Sequence, residues 1–104
     1  MDLDTFYTAV QKGNVQTVRR GLDAGVDLRV KKKWGLSDDQ TSLHVASLHG
    51  QTKVAALLIE HGADLEARDD RFQETPLHRA AAGGRTGTCK LLIRHGADVT
   101  ARDE

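Results

Sequence analysis

The chain repeats itself. Laid over itself at a shift of 34 residues, Thr41–Asp69 agrees with Thr75–Asp103 at 16 of 29 positions without a gap. The shared frame reads T-x-L-H-x-A, then Gly, then L-L-I-x-H-G-A-D, then A-R-D. The first segment fits more weakly at a shift of 37, where Ala9, Gly13, Gly25, Asp27 and Leu28 fall on Ala46, Gly50, Gly62, Asp64 and Leu65. A unit this short cannot bury a core alone. Such units become stable by stacking on their neighbours, so the period predicts an elongated array.

Inside each unit the apolar spacing is helical, in two short pieces. Leu43 and Ala46, and again Leu77, Ala80 and Ala81, mark one buried stripe. Val54, Leu57 and Leu58 mark a second, with Cys89, Leu91, Leu92 and Ile93 following in the next unit. Gly50 and Gly84 end the first pieces; His61-Gly62 and His95-Gly96 end the second, where glycine adopts the left-handed conformation cheaply and His suits the helix dipole. Thr75-Pro76 is a start signal: a capping hydroxyl before a proline whose missing N–H costs nothing at the first helical position. Thr41-Ser42 keeps the cap without the proline. The polar stretches Asp27–Gln40 and Asp64–Glu74 are too short and too charged for buried strands, and read as extended turns or hairpins.

These residues carry a family resemblance. Thr75-Pro76-Leu77-His78-Arg79-Ala80 matches the T-P-L-H-x-A signature of ankyrin repeats, and Thr41-Ser42-Leu43-His44-Val45-Ala46 matches it with one change. Gly62-Ala63-Asp64 and Gly96-Ala97-Asp98 resemble the family's G-A-D turn. The resemblance implies an all-α ankyrin-repeat solenoid, a single domain of three stacked helix-turn-helix units joined by β-hairpin-like loops. Repeat 1 covers about residues 1–30, an extended hairpin loop about 29–40, repeat 2 about 41–69 and repeat 3 about 70–104.

The departures from the family pattern are informative. Repeat 1 has Asp4-Thr5-Phe6-Tyr7 in place of T-P-L-H, and Arg20 and Gly21 where later repeats hold leucines. That erosion suits an N-terminal cap whose outer face meets water. The asparagine common near the family's hairpin is absent, its place taken by Arg29, Glu66 and Thr100, so no role of that residue carries over. At the other end the sequence stops at Thr100-Ala101-Arg102-Asp103-Glu104, with no polar helix pair to follow. Leu91, Leu92 and Ile93 are therefore expected to lack part of the cover given to Leu57 and Leu58. Further repeats of a longer array, or self-association, would supply it.

Composition narrows the function classes. Fifteen Lys and Arg balance fifteen Asp and Glu, so no global basic field draws in nucleic acid or an anionic membrane. The lone cysteine, Cys89, excludes an internal disulfide and, with no apolar run near the roughly 18 residues of a membrane span, predicts a cytoplasmic or nuclear protein. Cys89 itself falls on a second-helix core slot, and an inert buried thiol is expected there. Aromatic residues at 4% leave no core built on large rings.

The five histidines read as structural rather than chemical. His44 and His78 hold the T-x-L-H position, where the resemblance implies hydrogen bonds to the nearby threonine and backbone. His61 and His95 close helices. Repeating residues stack about 10 Å apart, too far to share a zinc at about 2 Å from each nitrogen. Gly83-Gly84-Arg85-Thr86-Gly87 is glycine-rich, but it follows a helix and lacks the lysine of a phosphate loop. No nucleophile–base–orienter set can be assembled. The chain is read as a non-enzyme with no cofactor, no metal and no small-molecule substrate.

What remains is a binding surface. The resemblance implies a concave protein-binding groove, an adaptor or scaffold surface for another protein or peptide. Its first-helix positions are Gln11, Lys12, Leu48, His49, Ala82 and Gly83. Its hairpin positions are Ser37, Asp38, Gln40, Arg71, Phe72 and Glu74. Leu48 and Phe72 are apolar where packing does not demand it, and a ring at a hairpin tip supplies contact area with few rotors to freeze. Phe72 is either such an anchor or folded back on its hairpin; His49 is either a contact or plain surface. Trp34, in the longest loop, either anchors a partner or covers repeat 1 where Gly21 leaves room. The Arg29–Lys33 run reads as a solvated loop. The alternative is electrostatic binding of nucleic acid, anionic lipid or a phosphorylated or acidic ligand through Lys31, Lys32 and Lys33. A third reading makes the repeats a regulatory segment of a larger enzyme. Acidic pairs at Asp38-Asp39 and Asp69-Asp70 are expected to project at successive hairpins.

Overall fold

The computed structural model describes residues 1–35 and 37–100, with Ser37 and Asp38 described by their backbone alone. Residues 101–104, the expected tail of repeat 3, lie outside the described residues. Six helices run in pairs: α1 (Leu3–Lys12) with α2 (Val15–Asp23), α3 (Ser42–Leu48) with α4 (Thr52–Glu60), and α5 (Pro76–Ala82) with α6 (Thr86–Arg94). A hairpin of β1 (Lys32–Trp34) and β2 (Ser37–Gln40) separates the first two pairs. First helices stack on first helices (α1, α3, α5), and second on second (α2, α4, α6).

The caps show why these short helices begin where they do. The Thr41 hydroxyl accepts the His44 N–H, while His44 Nδ1 accepts the Thr41 N–H at 3.1 Å. Thr75 and His78 repeat the arrangement, with Pro76 at the first helical position. The T-x-L-H signature is thus a capping box in which histidine replaces the usual glutamate. The first repeat lacks it and starts a half-turn earlier than the Asp4 position suggests. Asp2 caps α1 by accepting the Thr5 N–H at 2.7 Å.

Two kinds of side-chain tie hold the stack. His44 Nε2 donates to the Glu74 carbonyl at 2.7 Å, one residue before the next cap; Nδ1 is already an acceptor, so the proton sits on Nε2. In repeat 1, Tyr7 takes that place and donates its hydroxyl to the Gln40 carbonyl at 2.9 Å. The second tie runs from the cap of the second helix in repeats 2 and 3 back to the first helix of the preceding repeat. Gln51 Nε2 donates to the Gln11 carbonyl at 2.8 Å, and Arg85 Nε to the Leu48 carbonyl at 3.0 Å. A side chain at Gly50 would strike the Arg85 stem, so the glycine both turns the chain at φ 69° and lets the tie pass.

Burial corrects three expectations. The first repeat does have a core of rings: Phe6 and Tyr7 are buried and meet edge-on at 6.5 Å. The few aromatics are concentrated there, and the space left by Gly21 is filled by the Phe6 ring, not by Trp34. Leu92 is fully buried against repeat 2, whereas Leu91 is half-buried and Ile93 is 48% exposed. Cys89 is also half-buried rather than buried, because it lies on the face of α6 turned away from repeat 2 and lines a groove with Leu77, Ala81, Ile93 and Val99. The groove at the opposite end is lined by Asp4, Thr5, Thr8, Ala9, Lys12, Asn14 and Thr17, a mostly polar set of residues, as expected of the outer face of repeat 1.

Candidate partner-binding groove

The first hairpin is short and irregular. Lys32 pairs with Gln40 and Lys33 with Asp39, then the register shifts so that Trp34 faces Ser37, with Gly35 turning the chain at φ 63°. That shift turns Trp34 onto the first repeat. Its ring lies 5.6 Å from Tyr7, its indole N–H donates to Gln11 Oε1 at 2.7 Å, and Gln40 Nε2 donates to its carbonyl at 3.2 Å. Between hairpin and helices lies a cavity of about 270 Å³ lined by Gln11, Trp34, Gln40, Val45, Leu48 and His49. Five sequence-chosen residues, Gln11, Trp34, Gln40, Leu48 and His49, therefore meet in one place. Burial, and then the Arg85 charge, lower the pKa of His49, so the imidazole is neutral at pH 7.

The second hairpin, lacking strands, is organised by a single carboxylate. Asp69 is 0% exposed. Its Oδ1 accepts the N–H of Phe72 at 2.9 Å and of Glu74 at 3.3 Å, while Oδ2 accepts Arg79 Nε and a terminal guanidinium nitrogen at 3.2 and 2.9 Å. Burial pushes the Asp69 pKa up, but these donors outweigh it, and the net shift is downward. Asp69 is thus a buried organiser and not part of a surface acidic patch. Glu74 is likewise spoken for. It is half-buried, 3.4 Å from Arg79, and lends its carbonyl to His44. Sequence reasoning missed Arg79 and Asp69 because the variable position of the signature gives no hint of its partner ten residues upstream.

The tip that Asp69 holds presents Arg71 and Phe72. Phe72 is 53% exposed, and the Arg71 guanidinium lies 4.9 Å above its ring, so the ring stands out from the hairpin. The Asp70 N–H donates to the Asp39 carbonyl at 3.1 Å, which ties the second hairpin to the first. Gln40 is buried, and Lys12 opens onto the polar end groove. The side chain of Asp38 lies outside the described residues.

The basic run is largely matched. Arg29 pairs with Asp27 at 3.2 Å, Lys31 with Asp70 at 3.0 Å and Lys32 with Asp4 at 2.6 Å. These are exposed pairs of little energetic weight, but they cancel charge where a phosphate would need it. Among the described residues no group of three or more His, Cys, Asp or Glu could hold a metal ion, and no helix is long and apolar enough to cross a membrane.

Comparison with known proteins fits this architecture. The chain is 39% identical over 67 residues to palmitoyltransferase AKR1 of Naumovozyma castellii, and 33% identical over 63 residues to palmitoyltransferase AKR1 of Eremothecium gossypii. The matched stretches cover 64% and 61% of this chain but 8% and 9% of those relatives, so the chain spans under a tenth of their length. The family model for ankyrin repeats in three copies matches residues 6–103. The chain belongs to the ankyrin-repeat family, whose repeats are in general non-catalytic protein-interaction modules.

Proposed function

We propose that the chain is an adaptor or scaffold domain of three repeats that binds a partner protein across its hairpin tips and first helices. Trp34, Leu48, His49, Arg71 and Phe72 are the contact residues. One observation carries this reading: an exposed Phe72 under Arg71 and the cavity at Trp34 and Leu48 stand on successive hairpins that are tied through Asp70 and Asp39. Rings and Arg at such positions are the usual anchors of binding energy, and a pre-ordered surface loses little entropy on docking. The single cysteine suits a cytoplasmic or nuclear setting.

The test is a partner captured from cell extract and then purified. Leu48→Ala combined with Phe72→Ala should weaken its affinity by at least about a hundredfold, that is about 3 kcal/mol, with the far-ultraviolet circular dichroism unchanged. An affinity unaffected by the double substitution would sink the reading.

A second reading has the repeats localising or regulating a catalytic domain in a longer chain. It is supported by the resemblance to short stretches of two palmitoyltransferases. The complete open reading frame decides it.

A further inference from the structure

The zero net charge of the chain hides an uneven division between its layers. The second helices, α2, α4 and α6, carry five cations, Arg19, Arg20, Lys53, Lys90 and Arg94, against two acids, Asp23 and Glu60. With His neutral, that layer is therefore +3 and the rest of the chain −3. All five cations are exposed, and none of them forms an ion pair among the described residues. The hairpin side differs, since Arg29, Lys31 and Lys32 each sit beside a carboxylate.

The stack brings the unmatched charges onto one surface. α2 packs on α4, and α4 on α6. Arg19 of α2 and Lys53 of α4 line a single groove with Val15, Ala56, Leu57 and Glu60. Lys90 holds in α6 the place that Ala56 holds in α4, 34 residues earlier, so the period puts it on the same outer side. Neighbouring helices lie about 8–10 Å apart, which spreads these charges over a face about 20 Å wide.

What this face lacks identifies its ligand. No Phe, Tyr or Trp stands on the three helices. Protein interfaces are built on such rings and are depleted of Lys, and single-stranded nucleic acid needs rings on which its bases stack. Helices packed side by side offer no single rod to enter the groove of a duplex. An anionic bilayer makes neither demand. Its headgroups move laterally to meet scattered cations, and each Lys or Arg near the surface strengthens binding about fivefold. We propose that the second-helix face docks this protein on an anionic phospholipid surface. The acidic remainder of the chain is turned to solvent, which leaves the hairpins and first helices open to the partner.

The test pellets the protein with vesicles of phosphatidylcholine, alone or with about 30 mol% phosphatidylserine, at about 50 mM salt. The proposal expects binding to the mixed vesicles only, weakened severalfold at about 200 mM salt. Lys53→Gln combined with Lys90→Gln removes two charges that no carboxylate holds. The melting temperature should stay unchanged while vesicle affinity falls about thirtyfold. Lys31→Gln combined with Lys33→Gln makes the same change in net charge at the hairpin and should cost less than about threefold. Trp34 fluorescence should not shift on binding, because the hairpin faces away from the lipid. Equal losses in the two variants, or a blue shift of Trp34, would put the contact on the hairpin. Binding to duplex DNA or polyglutamate without binding to the mixed vesicles would make the face a site for another polyanion. Either result, like an absence of pelleting, overturns the proposal.

Discussion

At the scale of single residues, the histidine of the signature does two jobs, one through each ring nitrogen. His44 Nδ1 closes the cap of its own helix, and Nε2 reaches the backbone of the next repeat at Glu74. Protonating Nδ1 removes the acceptor for the Thr41 N–H. Burial lowers the His44 pKa below its ordinary value of 6.5, so the unfolded chain binds the proton more readily than the folded one. Stability from this group is complete above about pH 6.5 and is lost as the pH falls toward the lowered value. Urea unfolding midpoints should therefore drop between about pH 7.5 and about pH 5.5, and His44→Gln, though less stable throughout, should flatten that drop. An equally steep drop in the variant would exclude His44 as its source. Tyr7 holds the histidine position of the signature in repeat 1, but its bridging hydrogen bond could not be foreseen from that, because it shows only once Gln40 is placed opposite the hydroxyl.

At the scale of elements, the helices and their ends were legible because caps, prolines and left-handed glycines act on near neighbours. The close approaches between elements were not. Gly83 looked like a groove position, but a side chain there would sit 2.6 Å from the Leu48 carbonyl, the same oxygen that Arg85 grips. Gly87, four residues on in α6, would place a methyl no nearer than 3.8 Å to Thr52. Two substitutions of the same kind should thus have opposite signs. Gly83→Ala should destabilise by about 1–3 kcal/mol through overpacking against backbone. Gly87→Ala should stabilise by about 0.5–1 kcal/mol by removing glycine's unfolded freedom from a helix. Thermal or urea melts of the two variants compare them directly, and equal shifts would refute the packing of α3 on α5 described above. The second hairpin was equally hidden. Asp69 and Arg79 meet only after the chain has turned back, so no local pattern marked Asp69 as buried.

For the whole molecule, charge along the basic run proves to be balanced locally. Arg29, Lys31 and Lys32 each have a carboxylate beside them, two of these from other elements of the stack. A ligand held by three lysine–phosphate contacts would lose affinity about fortyfold between 50 and 200 mM salt. Partner binding anchored on Trp34, Leu48 and Phe72 should change by less than about threefold over that range, and a steep slope would favour the electrostatic alternative. The array order could be read from the period, and the outward polar face of repeat 1 from its departures from the signature. The position of Trp34 could not, since it depends on a register shift within a loop that has no counterpart in the other repeats. The central claim is that partners dock on the hairpin and first-helix face. Chemical-shift mapping of the nitrogen-15-labelled chain with its purified partner tests it most directly. The account predicts changes at the Trp34 indole and at the amides of Leu48, His49, Arg71 and Phe72, with α2, α4 and α6 silent on their outer faces. Changes confined to α2, α4 and α6 would contradict it.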